Sequence, residues 1–255
     1  MPQTLDTQFD GLIQATDRLL WDAYRSAVSG AHQAGKLIFP KTSKGKVRVS
    51  EQEAKQLLIQ NVHNSMFSYS VETPTLGNYG FSGVGERNAM TDLSLYANGV
   101  RYVNMEFKAG TTSIKRKKLG KITKDLKKLV LEDVRGFWFH TLGATNRASI
   151  SSLWQTIRQE LRAVVQATPA FRAKHFTFHC CVLREAFSVQ TTFRLDELSR
   201  DPEWLGDLTP PKFRVSKGQV IELSETNDWQ VFRCGQPVET VTMESTNHVH
   251  RTPPC

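Results

Sequence analysis

Long apolar runs and cysteines are both scarce in this sequence of 255 residues. No stretch reaches the roughly 18 consecutive apolar residues that a membrane-spanning helix needs. The first residues, MPQTLDTQFDGLIQ, contain neither the basic region nor the apolar segment of a secretory signal. The four cysteines are irregularly placed, and Cys180 and Cys181 are adjacent within an apolar run, which indicates buried thiols and not a disulfide framework. We therefore expect a cytoplasmic protein without a membrane contact.

Basic residues are in excess and are clustered. The net charge is +8, and the segment from 115 to 128, KRKKLGKITKDLKK, has eight basic residues and one aspartate. A polyanion such as nucleic acid is the natural partner of such a segment. A solvated helix face is the alternative explanation, and charge alone does not separate the two.

The spacing of apolar residues predicts an alternation of helices and strands. The predicted elements are a helix in residues 1–35, a helix from residue 50, a strand at 67–73, a hairpin at 91–110, a helix at 119–132, a strand at 137–142, a helix at 149–166 and a strand at 175–183. From residue 50 onward this order predicts an α/β fold with a mixed central sheet flanked by helices.

Three parts are predicted along the chain. Residues 1–49 form an N-terminal helix with an extended lead-in, and residues 50–185 form the core. Residues 186–255 contain short strand candidates between prolines and glycines, which is typical of a small β-rich extension with a loose tail.

The hairpin TDLSLYANGVRYVNMEFKAG combines an apolar face with a charged one. The apolar residues of the two strands lie on the same face of the sheet if a three-residue loop at 97–99 pairs residue 96 with residue 100. A two-residue loop would place them on opposite faces. The resulting register places Asp92 opposite Asn104, one diagonal step from Glu106. Lys108 lies two residues beyond Glu106 on the same face. The pattern therefore brings two carboxylates and one ammonium together.

Such a group of charges suits a metal site. Close carboxylates repel each other unless a cation lies between them, and Mg²⁺ prefers carboxylate, water and phosphate oxygens. A neighbouring lysine can orient or activate a water molecule and offset charge on a phosphate. The alternative is a cross-strand ion pair on a solvent-exposed face of the sheet, which is the common role of an isolated Glu-x-Lys triplet.

The element order, with Asp92 on one strand and Glu106-Phe107-Lys108 on the next, resembles the PD-(D/E)xK, restriction-endonuclease-like nuclease superfamily over residues 50–185. The resemblance implies an αβββαβ core and hydrolysis of DNA phosphodiesters with Mg²⁺, for which Mn²⁺ can substitute. Thr91 stands where the superfamily has its nominal proline. No Gln-x-x-x-Tyr follows the triplet, and Lys121 or Lys124 offers a basic group from the next helix instead.

The same resemblance implies the roles of the site residues. Asp92 and Glu106 would bind the metal ion, together with Glu51 and the main-chain carbonyl of Phe107. Lys108 would orient or activate the attacking water. The expected catalytic residues are therefore Asp92, Glu106, Lys108 and Glu51.

The additional acid, expected on the first core helix, has three candidates. Glu51 shares a helix stripe with Leu58 and Val62 and so tends toward the sheet. Glu53 forms a capping-box pattern with Ser50, which gives it a structural role. Glu72, at the end of the first strand, is the third candidate. We favour Glu51.

The basic segment completes the functional hypothesis. Its residues expected to contact a nucleic-acid backbone are Lys115, Arg116, Lys117, Lys118, Lys121 and Lys124. The expected partner is DNA in preference to RNA. By analogy with the superfamily, a homodimer or a larger antiviral defence complex is the expected setting. The alternative function is a nucleic-acid-binding or assembly module that keeps the fold without catalysis.

Overall fold

The computed structural model describes residues 4–31, 36–77, 89–110, 119–143, 145, 147–167, 176–185 and 188–195, and beyond these the short segments 213–216, 219–222, 230–233, 236–237 and 241–242. The helices in these ranges are α1 (Leu5–Ser29), α2 (Glu51–Val62), α3 (Leu119–Val130) and α4 (Arg147–Ala167). The strands are β1 (Ser68–Pro74), β2 (Met90–Ala97), β3 (Val100–Ala109), β4 (Arg135–Leu142), β5 (Phe176–Leu183), β6 (Ser188–Leu195), β7 (Phe213–Ser216), β8 (Gln219–Glu222), β9 (Gln230–Arg233), β10 (Gln236–Pro237) and β11 (Val241–Thr242). None of the helices in these ranges is long and apolar enough to cross a membrane.

Eight strands form one mixed sheet in the order β1-β2-β3-β4-β5-β6-β9-β10. The pairs β3–β4 and β4–β5 are parallel, and the pairs on either side of them are antiparallel. The predicted order of helix, three strands, helix, strand, helix, strand is confirmed, and so is the α/β fold with a mixed sheet flanked by helices. Strands β7, β8 and β11 form a separate sheet. Because β6, β9 and β10 lie within residues 186–255, the main sheet continues into the predicted extension, and the division into three parts stays a prediction.

The two faces of the sheet carry different residues because side chains alternate along a strand. Leu93, Met105, Phe107 and Phe139 belong to the apolar core that α1 and α2 cover. Helix α3 covers the opposite face, where a Cβ added to Gly136 would lie 2.3 Å from the Leu129 carbonyl oxygen of α3. Because Gly136 has no side chain, α3 can approach β4 closely, beside the charged face of β3.

Local signals explain how α2 begins, how α1 ends and how α1 is anchored to the sheet. The predicted capping box at α2 is confirmed, since the Ser50 main-chain N–H donates to Glu53 Oε2 at 2.9 Å. Helix α1 ends at Gly30, which has a φ of 78°. In the core, Asp17 of α1 lies 2.9 Å from His179 Nε2 of β5, and both residues are buried. This buried polar pair fixes α1 against the centre of the sheet.

The hairpin turn differs from the predicted one. Ala97 pairs with Val100 across a two-residue loop, so the predicted three-residue loop at 97–99 is wrong. Asn98 and Gly99 have φ values of 51° and 78°, the positive values that a type I′ turn requires. Apolar residues still meet because Tyr102 is an extra residue on β3, where the register shifts.

This bulge also changes the predicted neighbour of Asp92. Asn104 pairs with Ser94 and not with Asp92, and the Ser94 hydroxyl donates to Asn104 Oδ1 at 2.7 Å. The ladder between β2 and β3 reaches Leu93 and Met105 and is not continued to the next residues. The predicted position of Asp92 opposite Asn104 is therefore wrong, and Asp92 lies just beyond the end of this ladder.

Candidate active site

Asp92 lies where β2 and β3 separate. Its Oδ2 atom accepts a hydrogen bond from the Phe107 main-chain N–H at 2.8 Å. The carboxylate thus replaces the strand partner that Phe107 lacks at this position, and it stays close to β3. Because the Asp92 side chain is 25% exposed, it can still reach a ligand from solvent.

The predicted group of three charges is assembled in the structure. Lys108 Nζ lies 3.2 Å from Glu106 Oε2 and 3.9 Å from Asp92 Oδ2. The Glu106 side chain is 1% exposed and that of Lys108 is 12% exposed. Glu106 is buried, Lys108 is mostly buried and Asp92 is partly exposed, so the ion pair of the alternative explanation is present but does not lie on a solvent-exposed face.

Two residues of α3 that the sequence analysis did not select complete this cluster. Asp125 Oδ2 lies 2.8 Å from Lys108 Nζ, and Asp125 Oδ1 lies 2.8 Å from Lys128 Nζ. Glu106 likewise pairs with Lys108 through Oε2 and with Lys128 through Oε1. Each carboxylate therefore bridges both ammonium groups, and Glu106, Lys108, Asp125 and Lys128 form a closed ring of alternating charge, called here the charge ring.

Burial and the neighbouring charges together set the pKa values of the residues in the charge ring. Burial first and the Asp125 carboxylate second raise the pKa of Glu106 above its ordinary value, while the ammonium groups of Lys108 and Lys128 lower it. Burial alone would lower the pKa of Lys108, but the surrounding carboxylates, Glu106 first, raise it above its ordinary value. Lys108 is therefore an ammonium at neutral pH and acts as a hydrogen-bond donor.

The three candidates for the additional acid lie in different places. Glu51 begins α2, and its pKa is raised by partial burial while Lys108, Asp92 and Asp125 also act on it electrostatically. Glu53 is used in the capping box. The Glu72 side chain is 61% exposed and lies 3.6 Å from Lys55, outside the charge ring. Glu51 thus stays the predicted additional acid, and the Phe107 carbonyl stays a predicted ligand.

The predicted backbone-binding residues are described only in part. Lys115, Arg116, Lys117 and Lys118 lie outside the described residues, and of Lys121 only the position on α3 is described. Lys124 is half-buried on α3, and burial followed by the charge of Lys128 lowers its pKa. Contact of these residues with nucleic acid stays a prediction.

The carboxylates of the site are of the type that binds a magnesium ion, but the described residues are not arranged as a metal site. Oxygen atoms of Asp92, Glu106 and Asp125 lie within 3.9 Å of one point, the Lys108 nitrogen. Carboxylate oxygens are the protein ligands that Mg²⁺ prefers. Within the part of the chain that the structure describes, no group of three or more His, Cys, Asp or Glu side chains is arranged to hold a metal ion, and ammonium groups lie between the carboxylates instead.

Comparisons with known proteins give no family. No protein-family model matches this chain, and no curated protein sequence matches it. A crystal structure of the central domain of yeast acetyl-CoA carboxylase is similar with a TM-score of 0.33 and 12% identity over 94% of this chain, which spans 39% of that structure's length. A similarity this low carries no argument about fold or function.

His140 lies beside Lys108 on the neighbouring strand and has a structural role. Its Nε2 atom donates to the Gly110 carbonyl oxygen at 2.9 Å, and Trp138 Nε1 donates to its Nδ1 atom at 3.3 Å. These two bonds fit the neutral imidazole, whose Nδ1 atom is an acceptor. Burial accordingly lowers the pKa of His140 to about 4.

We expect His140 to make the fold sensitive to acid. Its pKa falls from 6.5 to about 4 on folding, so the folded chain binds fewer protons than the unfolded chain between these values. This difference should remove about 3 kcal/mol of stability as the pH falls from 6.5 to 4. Urea unfolding at a series of pH values measures it, and His140→Gln should show a shallower slope in this window. An unchanged slope in the variant would assign the acid sensitivity to other groups.

Proposed function

We propose that this protein is a metal-dependent nuclease that hydrolyses phosphodiester bonds, most readily in DNA. One observation carries the proposal: the buried Lys108 ammonium lies within 3.9 Å of the carboxylates of both Asp92 and Glu106, which come from adjacent strands. A carboxylate pair can bind a metal ion that activates water, and an ammonium beside it can donate to the water or to a phosphate oxygen. A cytoplasmic setting in antiviral defence, as a homodimer or in a larger complex, belongs to the same proposal.

Each residue has a defined part in this chemistry. Asp92 and Glu106, with Glu51 and the Phe107 carbonyl, would hold Mg²⁺ or Mn²⁺. The metal ion, when bound, supplies positive charge for the phosphate and lowers the pKa of water. Lys108 is held as an ammonium by the carboxylates around it. It therefore donates to the attacking water or to a phosphate oxygen and does not act as the base.

The test of this function is a cleavage assay on plasmid, single-stranded DNA and RNA. We expect cutting with Mg²⁺ or Mn²⁺ and none with EDTA, with DNA cut faster than RNA. Metal-independent cutting would contradict the proposal, and faster cutting of RNA would correct its substrate.

A second candidate function is a module that binds nucleic acid without cutting it. The charge ring supports this alternative because Glu106 and Asp125 already have cationic partners without a metal ion. Binding that is equal in Mg²⁺ and EDTA, with no cleavage under either condition, would favour the module.

Nucleic-acid binding should weaken steeply with salt in either case. If the six predicted basic residues each neutralise one phosphate, the affinity should fall about 10³-fold between 50 and 200 mM salt. Fluorescence anisotropy with a labelled duplex measures this slope. Replacing Lys115, Lys117 and Lys118 together with alanine should make the slope shallower, whereas Lys44→Ala, a change in a different part of the chain, should not. A flat salt dependence would show that the basic segment does not contact the backbone.

A further inference from the structure

Glu132, directly after α3, holds the chain that leaves β1 through both oxygens of its carboxylate. The Leu76 main-chain N–H donates to Glu132 Oε2 at 3.0 Å, and the Gly77 main-chain N–H donates to Glu132 Oε1 at 3.0 Å. An ionised carboxylate only accepts hydrogen bonds, so its two oxygens match two adjacent main-chain donors. Glu132 is 2% exposed, and it therefore makes these bonds in a buried place.

Thr75 joins the same stretch of chain to the residue that precedes β2. Its main-chain N–H donates to the Ala89 carbonyl oxygen at 2.8 Å. Its hydroxyl lies 2.9 Å from the same oxygen and 2.8 Å from the Gly77 carbonyl oxygen. Thr75 and Ala89 are both buried. The chain that leaves β1 and the chain that enters β2 are therefore fixed to each other.

The last turn of α3 contacts both of these stretches. Lys128 donates to the Met90 carbonyl oxygen at 2.8 Å on β2, and Glu132 binds the chain that leaves β1. The Leu131 main-chain N–H donates to the Lys127 carbonyl oxygen, so the helical turn continues between Lys128 and Glu132. Side chains four residues apart lie on the same side of such a turn.

Asp92 lies two residues after Met90, and strand pairing does not hold it in place. Within the described strands, the ladder between β1 and β2 pairs the residues on either side of Asp92 and leaves Asp92 out. The ladder between β2 and β3 ends one residue before Asp92 is reached. Glu72, the residue of β1 at this gap, has a φ of 48°, which is not the value of a regular strand. The position of Asp92 therefore depends on the neighbouring contacts and on its bond to the Phe107 N–H.

We propose that Glu132 is a positioning residue for the reaction. Together with Thr75 and Lys128, a set called here the clamp, it fixes the start of β2 and so holds the Asp92 carboxylate against the Phe107 N–H. The inference rests on the proposed function, because it assigns a role in the same site. Glu132 acts through the main chain, and this role requires no contact with the substrate.

The experiment is hydrogen exchange of the full chain in EDTA, followed by NMR. The Phe107 N–H donates to Asp92, so its exchange rate reports whether that carboxylate is in place. In Glu132→Gln one acceptor oxygen becomes an NH₂ donor that faces a main-chain N–H. We expect the Phe107 amide to exchange about tenfold faster, the factor for the loss of one hydrogen bond. Thr75→Val removes the hydroxyl at nearly constant size and should act in the same direction. Asp22→Asn, a change of an exposed carboxylate of α1, is the matched control and should leave the rate unchanged.

A purely structural role for Glu132 would give a different result. Exchange would then rise by the same factor at Phe107 and at the Phe139 amide of the central strand β4, because both would exchange through global unfolding. That outcome overturns the inference, and so does an unchanged rate at Phe107 in both variants. If Glu132→Gln does not fold, Thr75→Val decides the question.

Cleavage kinetics of the same variants connect the clamp to the reaction. A displaced Asp92 should lower kcat by about 10²-fold, the loss that a small misplacement of a reacting group causes. KM and duplex binding should stay within a few-fold of wild type, because the basic segment supplies the affinity. A higher KM with an unchanged kcat would overturn the inference. Faster exchange at Phe107 in the variants of a protein that cuts no nucleic acid would contradict the proposed nuclease and not the effect of Glu132 on Asp92.

Discussion

Lys108→Ala should reduce metal-dependent cleavage by about 10²–10⁴-fold, the range that a positioned proton-transfer group contributes. The Lys108 ammonium lies close to both Asp92 and Glu106. Because the surrounding carboxylates raise its pKa, it stays protonated and is held in place as a hydrogen-bond donor. Alanine removes that donor from the place where water and phosphate would meet. Initial rates of plasmid nicking at saturating Mn²⁺ measure the effect.

Two controls separate this loss from a loss of folding or binding. Lys127→Ala changes a lysine of α3 that is outside the charge ring and should cut at the wild-type rate. Binding of a labelled duplex by Lys108→Ala should stay within a few-fold of wild type, because backbone affinity comes from the basic segment. Lys108→Ala that folds, binds and cuts normally would remove Lys108 from the mechanism.

The carboxylate pair and Lys108 could be predicted because strand periodicity is local. Side chains two residues apart share a face, so Glu106 and Lys108 must point the same way wherever the strand lies. Asp92 lies near them although the predicted loop was wrong, because the bulge at Tyr102 keeps the apolar residues of the two strands on the same face. Nothing in the residue pattern located that bulge, because an extra residue inside a strand leaves the alternation on either side intact.

Asp125 and Lys128 could not be selected in the same way. They lie in a basic run that has the composition of a surface helix, and their burial depends on how α3 docks onto the sheet. That docking depends in turn on Gly136 of β4, where the absence of a side chain leaves room for the Leu129 carbonyl of α3. The available signal was Asp125 itself: a lone acid in a basic run, three residues before Lys128, is placed to pair within the helix.

Glu106→Gln should destabilise the fold by about 3–5 kcal/mol, the range for breaking a buried ion pair by removing one partner. The substitution keeps the size of the side chain but leaves Lys108 and Lys128 with Asp125 as their main remaining carboxylate in the ring. For a chain of this size that loss corresponds to a melting temperature lower by about 6–20 °C. Thermal and urea unfolding in EDTA measure it without a contribution from bound metal.

A second substitution tests whether the charge ring is the cause. In Glu106→Gln/Lys128→Met one carboxylate and one ammonium are both gone, so Asp125 and Lys108 remain as a balanced pair. The double variant should be more stable than the sum of the two single losses predicts, by a coupling of about 0.5–3 kcal/mol. Simple additivity would show that Glu106 and Lys128 do not interact energetically, and the charge ring would then be a geometric feature without a role in stability. Glu106→Gln/Lys127→Met is the matched control, and it should be additive because Lys127 takes no part in the ring.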